Sequence, residues 1–456
     1  MEYIPNTKQD QEAMLATIGV SDMEELLADI PKEVRLHRAL AIPDPLSELE
    51  LRRWMSALAE ENAHAEAHTL FLGGGAYDHY IPSVVSHLVS RSEFYTSYTP
   101  YQAEMSQGLL QSIYEYQTLI CEITGLDVAN ASMYDGASAL AEAALMACRI
   151  TKRNRLLISK TIHPHYREVV RTYLSGLKSP LEEIPHHDGR TDLHALSKAL
   201  TPPSASSASG GGSGGCAAVL IQHPNFFGCL EEVQEIGRMA HAQGVLLVAM
   251  VDPLSLGLLS PPGEYGADIA VGEGQALGNA ISFGGPYLGL FATKKDYMRQ
   301  MPGRIVGATL DKKGRRGYCL TLQAREQHIR RERATSNICT NQALMALAAT
   351  VYLVTMGREG LREVGEQCLQ KAHYAQKKIC EVPGFEPAYS TPFFKEFVVK
   401  TPISPARINK KLLKSKIIGG LDLGQYERRQ KNQMLWCVTE KRTIEEIDRL
   451  AAVLSS

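Results

Sequence analysis

Three uninterrupted apolar runs constrain this chain more than any other feature: RLLIS at 155–159, AAVLIQ at 217–222 and VLLVAMV at 245–251. A strand with one wet face alternates polar and apolar residues, and these runs do not. Val, Ile and Leu without a polar phase suit strands covered on both faces of a parallel sheet. Between the last two runs lies LEEVQEIGRMAHAQG, which has helical periodicity and ends in Gly244, placed to cap it. Strand, helix and strand in that order predict a right-handed crossover. The third run ends in Asp252. A carboxylate at the C-terminal end of such a strand stands where open α/β sheets bind ligands. By position alone it is equally a cap for nearby backbone N–H groups.

The rest of the chain is expected to divide around that sheet. Residues 1–60 read as a helical arm, with Ser21 and Glu24 placed as a capping box for MEELLADI. Residues 61–340 read as a large α/β domain, 341–375 as a bridging helix and 376–456 as a small α+β domain. In the last part Ser404-Pro405 opens a helix, and Thr443 and Glu446 form a second capping box. SASSASGGGSGG at 204–215 is too rich in glycine and serine to pack, and reads as a flexible loop. The charge is nearly balanced, 48 basic against 50 acidic residues, which argues against nucleic acid or an anionic membrane as partner. No apolar run could span a bilayer, and the N-terminus lacks the pattern of a secretion signal, so a cytoplasmic protein is expected. The nine cysteines include no Cys-x-x-Cys pair, and no metal site is expected.

Several stretches carry possible chemistry. Asp135-Gly-Ala-Ser138 precedes a strongly helical run, where free N–H groups either bind an anion or are capped by Asp135 and Ser138. His163 and His165 follow the first apolar run and could stack on a planar ring or simply pack. Gly73-Gly74-Gly75 follows no clear buried strand and reads as a turn. Tyr95, Tyr98, Thr99, Tyr101, Gln102 and Glu104 form a polar-aromatic cluster with neither helical nor strand period, as a cleft or interface would. Thr335-Ser336-Asn337 follows a basic stretch and is placed to cap the helix ICTNQALMALAATVYL, or to face an anion.

YGADIAVGEGQALGN, from Tyr265, resembles the strand and turn of many enzymes that carry pyridoxal phosphate. In those enzymes a lysine soon follows and holds the cofactor as a Schiff base. Here no lysine occurs from residue 199 to residue 293. Lys294 and Lys295 lie beyond the next strand and read as surface residues. A self-sufficient pyridoxal enzyme is therefore disfavoured.

Longer stretches carry a more specific resemblance. YTPYQAEMSQGLLQSIYEYQTLICEITGLDVANASMYDGASALAEA, HPHYREVVRTY, IQHPNFFG, SFGGPYLG and MPGRIVGATLDKKGRRGYCLTLQAREQHIRRERATSNICTNQAL are similar to the glycine cleavage system P-protein family, in its separate first (alpha) subunit. The resemblance covers nearly the whole chain, the stretch 204–215 excepted. It implies a fold type I, aminotransferase-like pyridoxal fold, with a mainly parallel large domain and a small C-terminal domain. It implies a glycine decarboxylase active only with a second (beta) subunit, whose lysine anchors pyridoxal phosphate. The aminomethyl group would pass to the lipoyl arm of the H-protein, with T-protein and L-protein completing the system. Tyr95, Tyr98, Thr99, Tyr101, Gln102 and Glu104 would then reach the partner's active site. Thr335, Ser336 or Asn337 would reach its cofactor phosphate, and Asp135, Ser138, His163 and Asp252 would mark a vestigial site. The alternative is a structural or regulatory partner that never touches substrate.

Overall fold

The structure, a computed structural model, describes residues 5–177, 179–201 and 215–456. The glycine-serine stretch lies, Gly215 apart, outside the described residues. The chain divides into two compact units, Met1–Asn62 and Ala63–Ser456. The first carries α1 (Lys8–Ile18), α2 (Met23–Leu26) and α3 (Glu48–Glu60), none of which buries a residue. The expected box at Ser21 and Glu24 does not form, and the cap lies one residue later. Asp22 is the N-cap and accepts from Glu25 N at 3.0 Å, while Ser21 N donates to the Glu25 carboxylate. A charged acceptor is favoured at a helix N-terminus, and it displaces the serine.

The second unit is built on a seven-stranded sheet. Its strands are β1 (Val128–Ala129), β2 (Arg155–Ser159), β3 (Leu181–Ile184), β4 (Cys216–His223), β5 (Leu246–Val251), β6 (Ile269–Glu273) and β7 (Gly289–Thr293). Their spatial order is β1-β7-β6-β5-β4-β2-β3. From β6 to β3 every pair is parallel, and β7 runs antiparallel to both its neighbours. β5 explains why the apolar runs lack a polar phase. Leu246, Val248 and Met250 enter one core cluster, and Val245, Leu247 and Ala249 enter the cluster on the other side. Both faces are dry, so neither phase can be polar.

Four helices matter for the site. α4 (Gly136–Thr151) and α5 (Pro164–Leu174) follow β1 and β2, and α6 (Val233–Ala242) is the crossover between β4 and β5. α7 (Ala343–Cys380) is longer than expected and is broken at Gly357, where φ is 60° and ψ is −171°. It leads to a four-stranded antiparallel sheet of β8 (Glu386–Pro387), β9 (Glu396–Lys400), β10 (Leu421–Asp422) and β11 (Gln433–Cys437), in the order β8-β9-β11-β10. Thr443 and Glu446 form the expected capping box before the last helix.

Thr335-Ser336-Asn337 does not cap α7, which starts only at Ala343 behind Gln342. The intervening segment is tied to the loop after β1. Asn341 Nδ2 donates to Ala131 O at 2.6 Å, and Gln342 N donates to Ser132 Oγ at 3.1 Å. Ser336 Oγ donates to Glu142 at 2.8 Å. These tertiary bonds hold the segment outside the helix, and its Thr, Ser, Asn, Ile and Cys residues are themselves weak helix formers.

Candidate functional site

The C-terminal ends of β5 and β6 face the start of β9 across a small cavity. Gly75, Tyr77, His163, Tyr166, Asp252, Glu273, Lys395 and Glu396 are among its lining residues. Asp252 follows β5 directly, and Glu273 is the last residue of β6. Lys395 immediately precedes β9, and its side chain is almost wholly buried. Its ammonium lies 2.6 Å from Asp252 Oδ2, 3.0 Å from His79 Nε2 and 3.6 Å from the centre of the Tyr77 ring.

The hydrogen bonds assign the protons. An ammonium has donors only, so His79 Nε2 accepts and Nδ1 carries the hydrogen. Nδ1 then donates to Glu440 Oε2, 2.6 Å away. Burial and the neighbouring Lys395 cation hold the His79 pKa down, consistent with a neutral ring. Burial is the largest single influence and opposes the charge on Lys395, but Asp252 together with its other neighbours leaves the pKa raised. His163 is equally committed. Its Nδ1 accepts from His165 N at 3.1 Å, so Nε2 donates to Gly74 O at 2.7 Å. Its ring stacks on Tyr166, with centroids 4.5 Å apart, and burial lowers its pKa to about 4.

Two carboxyls are held unusually high. Glu273 Oε2 accepts from Gly136 N at 2.9 Å, and Oε1 accepts from Gln275 N and Leu288 N at 3.0 and 3.1 Å. Burial still raises its pKa to about 7. Glu396 accepts from Gly74 N at 2.7 Å and Tyr77 Oη at 2.9 Å, and burial raises it to about 7 as well. Between the ordinary glutamate value and pH 7 the folded chain holds protons that the unfolded chain has lost. Stability is therefore greatest below the ordinary value and falls as pH rises through 7. Each group contributes a loss of about 3 kcal/mol across that window. Glu396→Gln is expected to flatten the fall, read as urea midpoints at pH 5 and pH 8. An unchanged difference would remove Glu396 as its source.

The structure separates the sequence candidates. His163 and Asp252 line the cavity. Asp135 and Ser138 form the capping box of α4: Ser138 N donates to Asp135 Oδ1 at 2.7 Å, and Asp135 N bonds back to Ser138 Oγ. Tyr95, Tyr98, Thr99, Tyr101, Gln102 and Glu104 are absent from the cavity lining, and all but the half-buried Thr99 are exposed. Tyr101 is fixed from below. Arg304 Nη2 donates to its hydroxyl at 3.1 Å, the guanidinium lies 5.5 Å from the ring centre, and His328 packs edge-on at 5.8 Å. Thr335 and Ser336 are half-buried and Asn337 is exposed. Sequence reasoning missed Lys395, Glu396, Glu273 and the His79–Glu440 pair.

Pyridoxal phosphate does not fit this cavity as it stands. The cofactor takes a Schiff-base lysine, an anion for its pyridine nitrogen and an anion site for its phosphate. The anion, Asp252, is already bound by Lys395. The N-terminus of α4 is already bonded to Glu273. The enclosed space is about 30 Å³. That holds about one water, against roughly 300–1,000 Å³ for ordinary small-molecule pockets. Among the described residues, no buried unpaired polar atom lies in the lining.

Comparison with known proteins agrees with this frame. Residues 1–454 match the glycine cleavage system P-protein family. A curated relative from Desulfitobacterium hafniense, named "Probable glycine dehydrogenase (decarboxylating) subunit 1", is 57% identical over 99% of both chains. A relative of the same name from Moorella thermoacetica is 55% identical over 100% of this chain and 99% of its own. A crystal structure of glycine decarboxylase (P-protein) of the glycine cleavage system, in inhibitor-bound form, superposes with a TM-score of 0.87. It is 44% identical and covers 100% of this chain and 99% of its own. A sphingosine-1-phosphate lyase from Burkholderia pseudomallei shares the fold alone, at 14% identity, a TM-score of 0.64 and 92% coverage of each chain. The fold is that of the fold type I pyridoxal enzymes, and this chain belongs to the glycine cleavage system P-protein family as a first subunit of glycine dehydrogenase (decarboxylating).

Proposed function

We propose that this chain forms one wall of an active site whose pyridoxal phosphate is anchored by a lysine of the second, beta subunit. The reading rests chiefly on one observation. The stretch from residue 199 to residue 293 has no lysine, and the lysine that does reach the cavity, Lys395, is bound to Asp252. Bound in the partner, the cofactor would withdraw the electrons left when carbon dioxide leaves glycine. The aminomethyl group would then pass to the lipoyl arm of the H-protein, and T-protein and L-protein would complete the system. The setting would be the cytoplasm; no described helix is long and apolar enough to cross a membrane.

Tyr95, Tyr98, Thr99, Tyr101, Gln102 and Glu104 are this chain's candidates for the shared site, because they are surface residues outside its own cavity. Tyr101 is the most preordered, held by Arg304 and His328. Their task would be to orient substrate and exclude water at the partner's cofactor. Tyr98→Phe or Tyr101→Phe is expected to lower turnover of the assembled complex about five- to tenfold, the worth of one hydrogen bond. Assembly, read by size, is expected to persist. Full activity in both variants would take these hydroxyls out of the mechanism and favour a purely structural subunit.

A further inference from the structure

We infer that Lys395 and Glu273 stand in for the two charged ends of a cofactor, so that this chain excludes pyridoxal phosphate by occupying the cavity with its own side chains. A bound cofactor would present a cationic pyridinium to Asp252 and an anionic phosphate to a helix N-terminus. Both positions are already occupied, one by an ammonium and the other by a carboxyl group. Lys395 places its ammonium 2.6 Å from Asp252, and that ammonium is fully served by His79 and the Tyr77 ring as well. Glu273 places a carboxyl on Gly136 N–H, and a second carboxylate, Asp135, caps Ser138 N–H of the same turn.

The arrangement is built rather than incidental. Gly136 has no Cβ, and one added there would meet Glu273 N and Cβ at 3.1 Å and Met250 Cε at 3.0 Å. Glycine therefore lets the end of β6 come up against the helix. Lys395 is delivered by the small sheet, where its carbonyl accepts from Val438 N at 2.9 Å. The small sheet thus closes the cavity with a cation, and the large sheet closes it with a carboxyl. A phosphate entering here would meet two carboxyl groups, and a pyridinium would have to displace an ammonium that cannot reach water. His79, Cys368 and Glu440 also converge within 4.8 Å, the spacing of metal ligands. The Lys395 ammonium beside His79 disfavours a metal cation there and makes the group part of the same internal network.

The inference concerns this chain's own cavity and goes beyond the partner-held cofactor proposed above. It is tested in the assembled complex after borohydride reduction, which fixes the cofactor of the other site and lets it be counted separately. Pyridoxamine phosphate, which forms no Schiff base with lysine, is then titrated by equilibrium dialysis. The unaltered complex is expected to bind no further equivalent up to millimolar concentration. The double variant Lys395→Ala, Glu273→Ala, verified as assembled by size, is expected to take up about one equivalent per subunit pair. Uptake by the unaltered complex, or none by the assembled double variant, would overturn the inference while leaving the partner's reduced cofactor untouched. If the double variant fails to assemble, melting decides. Lys395→Met is expected to lower the melting temperature by leaving the largely buried Asp252 carboxylate without its counter-ion, and adding Asp252→Asn is expected to recover most of the loss. No recovery would contradict the stand-in role of Lys395.

Discussion

Purified without a partner, this chain is expected to release no measurable carbon dioxide from glycine, and mixing with the second subunit is expected to restore the full rate. On the proposed reading the effect is all-or-none, because the lysine that lines this chain's own cavity, Lys395, is not free to form the Schiff base. Nucleophilic lysines of this kind need a neutral amine. Lys395 is held as an ammonium against Asp252, its pKa raised despite burial. Lys294, the first lysine after the gap, is bonded to Asp268 at 2.5 Å and lies on the far side of β7 from the turn. A glycine decarboxylation assay on the separate and mixed subunits reads the outcome. Activity of the isolated chain, proportional to its concentration and free of co-purified partner, would sink the two-subunit reading.

The second large effect is expected at Thr335. In related dimeric pyridoxal enzymes a hydroxyl ahead of the corresponding helix reaches the other subunit's cofactor phosphate, and by that resemblance we propose the same place for Thr335, Ser336 and Asn337. The structure changes their ranking. Ser336 Oγ is spent on Glu142 and also accepts from Ile338 N at 3.1 Å. Thr335 is anchored through its backbone, with its N–H donating to Arg325 O at 3.0 Å, so its side chain is the better candidate for a trans contact. A helix dipole adds no attraction at Thr335, since α7 begins only at Ala343. Loss of one charge-assisted hydrogen bond costs about 1.5–3 kcal/mol, or roughly ten- to hundredfold in affinity. Thr335→Val in the assembled complex is expected to weaken cofactor binding by that factor with little change in melting temperature. Ser336→Ala is expected to do the reverse, because it strips a partner from the buried Glu142. Unchanged cofactor affinity in Thr335→Val would end the trans contact.

Much of the scaffold was legible because it rests on local pattern. The three apolar runs became β2, β4 and β5, and Gly244 took a left-handed φ of 62° just past α6. The Thr443 box and the Ser404-Pro405 helix start formed where their spacing put them. Asp252 was legible as a strand-end carboxylate, and the absent lysine was legible by simple reading. Its replacement was not. Lys395 sits in FKEFVVK, 143 residues after Asp252, in a stretch that reads as an ordinary strand of another sheet. Only the closure of the small sheet over the large one makes the pair, and no local period records that. Glu273 lies in the stretch YGADIAVGEGQALGN that lacks a lysine, but nothing in the sequence marked it as a site residue. Its tie to Gly136 N–H depends on how closely a strand end approaches a helix, which sequence spacing does not reveal. Thr335-Ser336-Asn337 failed as a cap for a related reason. Capping side chains compete for partners, and Ser132 and Glu142 won that competition from elsewhere in the fold.

The most direct measurement is chemical. The complex of this chain with its second subunit is loaded with pyridoxal phosphate, reduced with borohydride, digested, and both chains are mapped by mass spectrometry for pyridoxyl-lysine. Stoichiometric label on a single lysine of the second subunit, with Lys395, Lys294 and every other lysine of this chain unmodified, is the expected result. Stoichiometric label on any lysine of this chain would contradict a cofactor held in trans.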